Sequence, residues 1–307
     1  NRIPVTIVDF PGDPSASRVI TSTVRADLDR SGLFKLIDHN NLTFDENAPI
    51  NYADWKSKGA DALAAGSIAR SADGRMEARF RLYDTQKGVS LGGAAYVTSN
   101  TQLRAAGHRI ADFIYEKLTG EKGVFSTRIA YVVKARGQYL LQIADSDGQN
   151  AATALTSTEP IISPVWSPEG DFIAFLAQGN GNDALFRQRA DGYIQPSFVV
   201  DGRAPEGWYK GGKLVFITRK GEHDYGIWLL DLGTNKVTRL VDIEGSDQHS
   251  SRISPDGKWI AYSSDETGRQ EVWVEPLPQT GKRFQLTKDG GRHPMWSGDG
   301  RGIFFDQ

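Results

Sequence analysis

Cysteine is absent from this 307-residue sequence. That excludes disulfides, thiolate catalysis and cysteine-held zinc, and it is compatible with an oxidising compartment. Long apolar runs are missing as well: no stretch reaches the roughly 18 residues a membrane-spanning helix needs. Excess charge is the third absence. With 36 basic and 38 acidic residues the net charge is −2, so no overall field draws DNA, RNA or an anionic membrane. A nucleic-acid partner and a membrane span are therefore set aside. The chain begins at Asn1 rather than Met, which is read as processing or trimming, with any signal peptide out of view.

What is present is a globular composition, 39% hydrophobic and 24% charged, in a length sufficient for two domains. The two ends differ in texture. Residues 1–120 mix strand and helix signals. "PVTIVDF" (4–10) reads as a buried strand closed by Pro11 and Gly12. Val19, Ile20, Val24 and Leu28 follow at helical spacing, with Ser15 or Ser17 as the cap and Gly32 as terminator. Strands are expected over 59–70, 76–85 and 94–99. A long amphipathic helix over 100–120 carries its stripe on Leu103, Ala106, Ile110, Phe113, Ile114 and Leu118, with Gly120 as cap. Its opposite face, with Arg104, Arg109, Asp112 and Glu116, reads as solvated surface.

From residue 127 the helical period vanishes and one strand type recurs: "RIAYVV", "FIAFLA", "KLVFIT", "WIAYSS" and "GIFFDQ". The preceding turns, as in "SPVWSPEG", "SSRISPDG" and "HPMWSGDG", end at Gly170, Gly212, Gly257 and Gly300, spaced by 42, 45 and 43 residues. A period near 43 with several short strands in each repeat is the signature of β-propeller blades. Pro presets φ in the turn, Asp bonds backbone amides, and Gly takes a positive φ. Trp166 and Trp296, just before two of the turns, are expected to pack blade against blade. The copy at "EGWYKGG" (206–212) keeps an aromatic and the final Gly but loses Ser-Pro-Asp.

The fold class is thus α+β in two domains: an N-terminal α/β domain over 1–120, a linker at 121–126, and an all-β propeller over 127–307. About four blades and an extra strand are visible, so the ring is expected to be truncated, the alternative being that its last strand completes the first blade.

The stretch "AAGHRIADFIYEKLTGEKGVFSTRIAYVV" (105–133), followed by "SPVWSPEG", resembles the TolB family, the periplasmic components of the Tol–Pal system. "PVTIVDF", "ADLDRSGLFKLID" (26–38) and "GADALAAGSI" (59–68) resemble its N-terminal segments, and the resemblance covers residues 1–180. It implies a six-bladed propeller without catalytic activity. It also implies a periplasmic location and binding of Pal, the peptidoglycan-associated lipoprotein, at one mouth. A strand that engages TolA would lie upstream of Asn1. A hinge near Gly120–Phe125 would relay occupancy of one partner site to the other.

The loops entering the repeated strands supply candidate Pal-facing residues: Glu159, Asp201, Arg203, Asp247, His249, Arg292 and His293. Arg and polar rim groups suit protein docking, although loops are polar in any case. His249 and His293 stand in equivalent loops, which raises a metal-dependent lyase-like reading. Two His fall short of the usual three ligands, so no metal and no cofactor are expected. Hydrolase chemistry has no G-x-S-x-G elbow to rest on, and "LGGAA" (91–95) is not a phosphate loop, so the chain is not read as an enzyme. A TolB-like propeller acting as a sensor or ligand-binding module is the alternative.

Overall fold

A computed structural model describes the chain apart from residues 1, 39–41, 180, 181, 191, 193–195, 202, 203, 220–224 and 242; at 178, 179, 182, 183, 198, 200, 201 and 219 it describes the backbone alone. The chain forms two compact units. One holds Asn1–Arg128 together with Asp145–Gln149, the other Ile129–Ala144 with Asn150–Gln307.

In the first unit the elements run β1 (Ile3–Ile7), α1 (Pro14–Arg30), β2 (Phe34–Leu36), α2 (Tyr52–Ser57), β3 (Ala62–Arg70), β4 (Met76–Asp84), β5 (Val89–Thr98) and α3 (Leu103–Thr119). The sheet order is β2-β1-β3-β4-β5, with β1 parallel to both neighbours and the rest antiparallel. Period-2 alternation in β4 sends Met76, Ala78, Phe80 and Leu82 to the face covered by α1 and α3. Trp55 and Tyr83 belong to a smaller apolar cluster that also holds Val8 and Leu63. The cap of α1 differs from expectation. Asp13, not a serine, accepts from the Ser15 and Ala16 amides, because Pro14 at the first helical position leaves the preceding carboxylate facing the free N–H groups.

The polar face of α3 is also less solvated than its pattern suggests. The Asp112 carboxylate accepts the amides of Phe125 and Ser126, and this holds Phe125 in the core of the unit. Arg104 reaches acidic side chains of the Asp145–Gln149 turn.

The second unit is a series of antiparallel sheets. The first has three strands, β6 (Arg128–Ala135), β7 (Gln138–Asp145) and β8 (Ala152–Ser157). Three four-stranded sheets follow. The first is β9 (Ile161–Trp166), β10 (Phe172–Gly179), β11 (Asn182–Arg189) and β12 (Ser197–Asp201). The second is β13 (Pro205–Tyr209), β14 (Lys213–Arg219), β15 (Tyr225–Asp231) and β16 (Lys236–Val241). The third is β17 (Gln248–Ile253), β18 (Trp259–Ser264), β19 (Glu271–Pro276) and β20 (Phe284–Gln285), and the last sheet pairs β21 (Arg292–Trp296) with β22 (Ile303–Asp306). This is the blade pattern of a propeller, with partial sheets at both ends.

The repeated turn joins the first two strands of a sheet. In "SPDG" the Ser254 Oγ donates to Asp256 at 2.6 Å and accepts the Lys258 and Trp259 amides. Asp256 accepts Lys258 N–H as well, and Gly257 sits at φ 67°. Ser297 and Asp299 repeat the arrangement. The serine, which the sequence pattern leaves without a role, is the anchor of the turn. Trp296 does span two blades, its Nε1 donating to the Arg252 carbonyl at 2.9 Å.

Candidate functional site

The first strands of successive sheets, β9, β13, β17 and β21, are neighbours, as inner strands of adjacent blades are. Three of them share a kink. Ser163, Ser250 and His293 have φ of 51°, 56° and 52°, and each stands four residues before the serine of its turn. Such bulges re-aim side chains and leave the next backbone N–H outside the ladder. Pro164 and Pro294 follow two of the kinks and have no N–H to satisfy. After Ser250 the chain has Ser251, and its N–H donates to the Glu206 carboxylate of β13. The Arg252 guanidinium adds a 3.0 Å bond to the Glu206 carbonyl.

Burial pushes the Glu206 carboxyl up to about 7, against the opposing pull of Arg252 and the Ser251 amide. Sequence reasoning missed this residue. The signal available to it was the absence of proline after one kink of three.

Of the residues expected at this face, His249 and His293 come together, their ring centroids 6.3 Å apart. Their Nδ1 atoms bond Ser250 Oγ at 2.9 Å and Asp306 at 3.0 Å. Burial lowers the His249 pKa, with His293 and Arg292 acting the same way and Asp247 and Asp265 against it. Arg292 is exposed at the start of β21. Asp247 is committed to the backbone: its carboxylate accepts the Tyr225 amide at 2.9 Å, and its own N–H donates to Asp265. Glu159 is exposed in the loop before β9, its N–H donating to Ser157 Oγ. Asp201 ends β12 with its side chain outside the described part, and Arg203 lies outside the described residues.

A second polar cluster lies in the N-terminal unit. His108 on α3 is buried, with Nδ1 2.6 Å from the Asp27 carboxylate of α1 and Nε2 3.6 Å from Asp145. Arg30 bonds Asp27 at 2.6 Å, and Arg104 pairs with Asp147. Among the described residues, His108, Asp145 and Asp147 form the one acidic and His group whose ligand atoms lie within 4.8 Å of each other. Two guanidinium groups already face these carboxylates, so the remaining negative charge is matched by one proton. Burial opposes that proton, but the hydrogen bond to Asp27 and the charges of Asp27, Asp145 and Asp147 outweigh it and raise the His108 pKa. Among the described residues no helix is long and apolar enough to cross a membrane.

Comparison with known proteins agrees with the folds of both units. Residues 1–91 match the model of the TolB amino-terminal domain, and residues 115–307 match that of the TolB β-propeller domain. The chain is 85% identical over 177 residues to the Tol-Pal system protein TolB of Dechloromonas aromatica (strain RCB), an alignment covering 58% of this chain and 42% of that protein. It is 39% identical over 286 residues to the TolB of Bordetella parapertussis (strain 12822), covering 90% of this chain and 63% of that one. The chain therefore spans between two fifths and two thirds of the length of these curated relatives. The crystal structure of TolB from Acinetobacter baumannii superposes with a TM-score of 0.83 at 30% identity, over 99% of this chain and 77% of that one. By domain order, sequence and fold, the chain belongs to the TolB family.

Proposed function

We propose that this protein is a periplasmic, non-catalytic scaffold of the Tol–Pal envelope system. In this reading the Pal lipoprotein docks at the face formed by the loops before β9, β13, β17 and β21, and the chain links Pal to inner-membrane Tol proteins. Residues 1–120 form one domain, 121–126 the linker and 127–307 the propeller. The carrying observation is the grouping of His249, Arg292 and His293 on neighbouring strands β17 and β21. Exposed Arg and His beside a rigid sheet edge suit specific protein docking.

The test is a calorimetric titration with the soluble domain of the Pal lipoprotein from the same organism. Saturable binding that weakens by about tenfold in His249→Ala supports the reading. A folded chain that does not bind Pal overturns it.

A further inference from the structure

The charges around His249 and His293 are unevenly committed. Glu206 accepts the Ser251 amide, Asp247 the Tyr225 amide, Asp265 the Asp247 amide, and Asp306 faces His293 Nδ1 at 3.0 Å. Every nearby carboxylate therefore has a partner inside the chain. Arg292 has none among the described residues, and neither His249 Nε2 nor His293 Nε2 makes a hydrogen bond there. Three nitrogen-bearing groups thus stand together with donor capacity to spare. The kinks at Ser250 and His293 (φ 56° and 52°) bring this about, because a bulge re-aims the side chains next to it.

The geometry points to a receptor for one carboxylate, formed by Arg292, His293 and His249, into which the docking protein inserts an Asp or Glu side chain. The inference rests on reading this face as a docking face, but not on which protein docks. An exposed guanidinium is suited to bind a carboxylate through two parallel bonds, and imidazole Nε2–H groups can add further donors.

Protonation follows from the surroundings. His249 is faced by Asp247 and Asp265 beside its own sheet and by His293 and Arg292 on the last sheet, while Asp306 bonds His293, and Glu206, paired with Arg252, acts on His293. Burial and the cations around it keep its pKa below the ordinary imidazole value. An arriving carboxylate favours the charged His249 ring, so binding takes up a proton and tightens as pH falls toward the lowered value of the free ring.

The probe is N-acetyl-aspartate amide, with the uncharged N-acetyl-asparagine amide as control, followed through the His Hε1 resonances of the full chain. Both rings should shift saturably with the aspartate compound only, with half-saturation on the order of 1–10 mM. Arg292→Ala should weaken this by about tenfold, with Arg292→Lys intermediate. Equal shifts with both compounds, no shift up to about 50 mM, or an undiminished response in Arg292→Ala would overturn the receptor. The Pal titration separates the two readings. If Pal binds the wild type and Arg292→Ala equally, the receptor falls and the docking reading stands. If Pal fails to bind while the aspartate probe still does, the assignment of Pal as the docking protein falls and the receptor stands.

Discussion

His108 and Asp27 meet between α1 and α3, with Nδ1 and Oδ2 2.6 Å apart and both side chains almost wholly buried. Each group alone would be costly to bury. Together, with Arg30 on Asp27 and Asp145 on the far side of the ring, they form a charged but compensated cluster.

This cluster makes stability depend on pH. His108 holds its proton more tightly folded than unfolded, so its contribution is complete below the ordinary value of 6.5 and is lost as pH rises through the raised folded value. Urea midpoints of the wild type should therefore fall as pH rises above 6.5 through the raised folded value, while those of His108→Gln should lack this component. Removing the ring in His108→Ala should cost about 3 kcal/mol at pH 6, because Asp27 then keeps a buried charge with one partner fewer. Parallel pH profiles for wild type and His108→Gln would show that the proton is not held there.

The repeated turn gives a second prediction. Ser254 is buried, and its Oγ serves two backbone amides and the Asp256 carboxylate. Ser254→Ala should destabilise the chain by about 1–2 kcal/mol in chemical denaturation. Pro255→Ala should cost less, since it removes only a preset φ and no hydrogen bond. A larger loss for Pro255→Ala would mean that the proline ring, not the hydroxyl, holds the turn.

These cases separate what the sequence displays from what it hides. The blade repeat was legible because strand alternation and Gly spacing are local and recur. The α3 stripe was legible too, but its extent was not: Gly107 approaches α1 so closely that a Cβ there would lie 2.8 Å from Thr23 Cβ and 2.9 Å from the Ile20 carbonyl. Helix propensity alone favours Ala at such a position by about 1 kcal/mol, and only the packed pair of helices reveals why Gly stands there. Asp112 and Arg104 were read as solvated because their partners, the amides at 125–126 and the acids at 145–147, are distant in sequence or off the helix. At the proposed docking face the meeting of His249 with His293 was foreshadowed by their equivalent loops, although the residue that matches His293 in the repeat is Ser250. Glu206 did not, since its partner amide is 45 residues away and the motif around it is degenerate.

Glu206 supplies the remaining prediction. Its folded value of about 7 stands above the usual 4.5, chiefly because of burial. The folded chain therefore binds the proton more tightly than the unfolded one between those two values, and stability falls as pH rises from 4.5 to about 7. Glu206→Gln keeps an oxygen that can accept the Ser251 N–H but never ionises. Relative to wild type it should gain stability on the order of 1–3 kcal/mol as pH is raised from about 5 to 8. Glu206→Ala should behave oppositely at pH 5: the Ser251 amide loses its acceptor, at a cost of about 1–3 kcal/mol. Denaturation curves at both pH values test the pair. If Glu206→Gln tracks wild type across the range, the carboxylate is ionised throughout and Arg252 outweighs burial. If Glu206→Ala costs nothing, the kink at Ser250 satisfies its amide by other means, and the contact between β13 and β17 does not depend on this side chain.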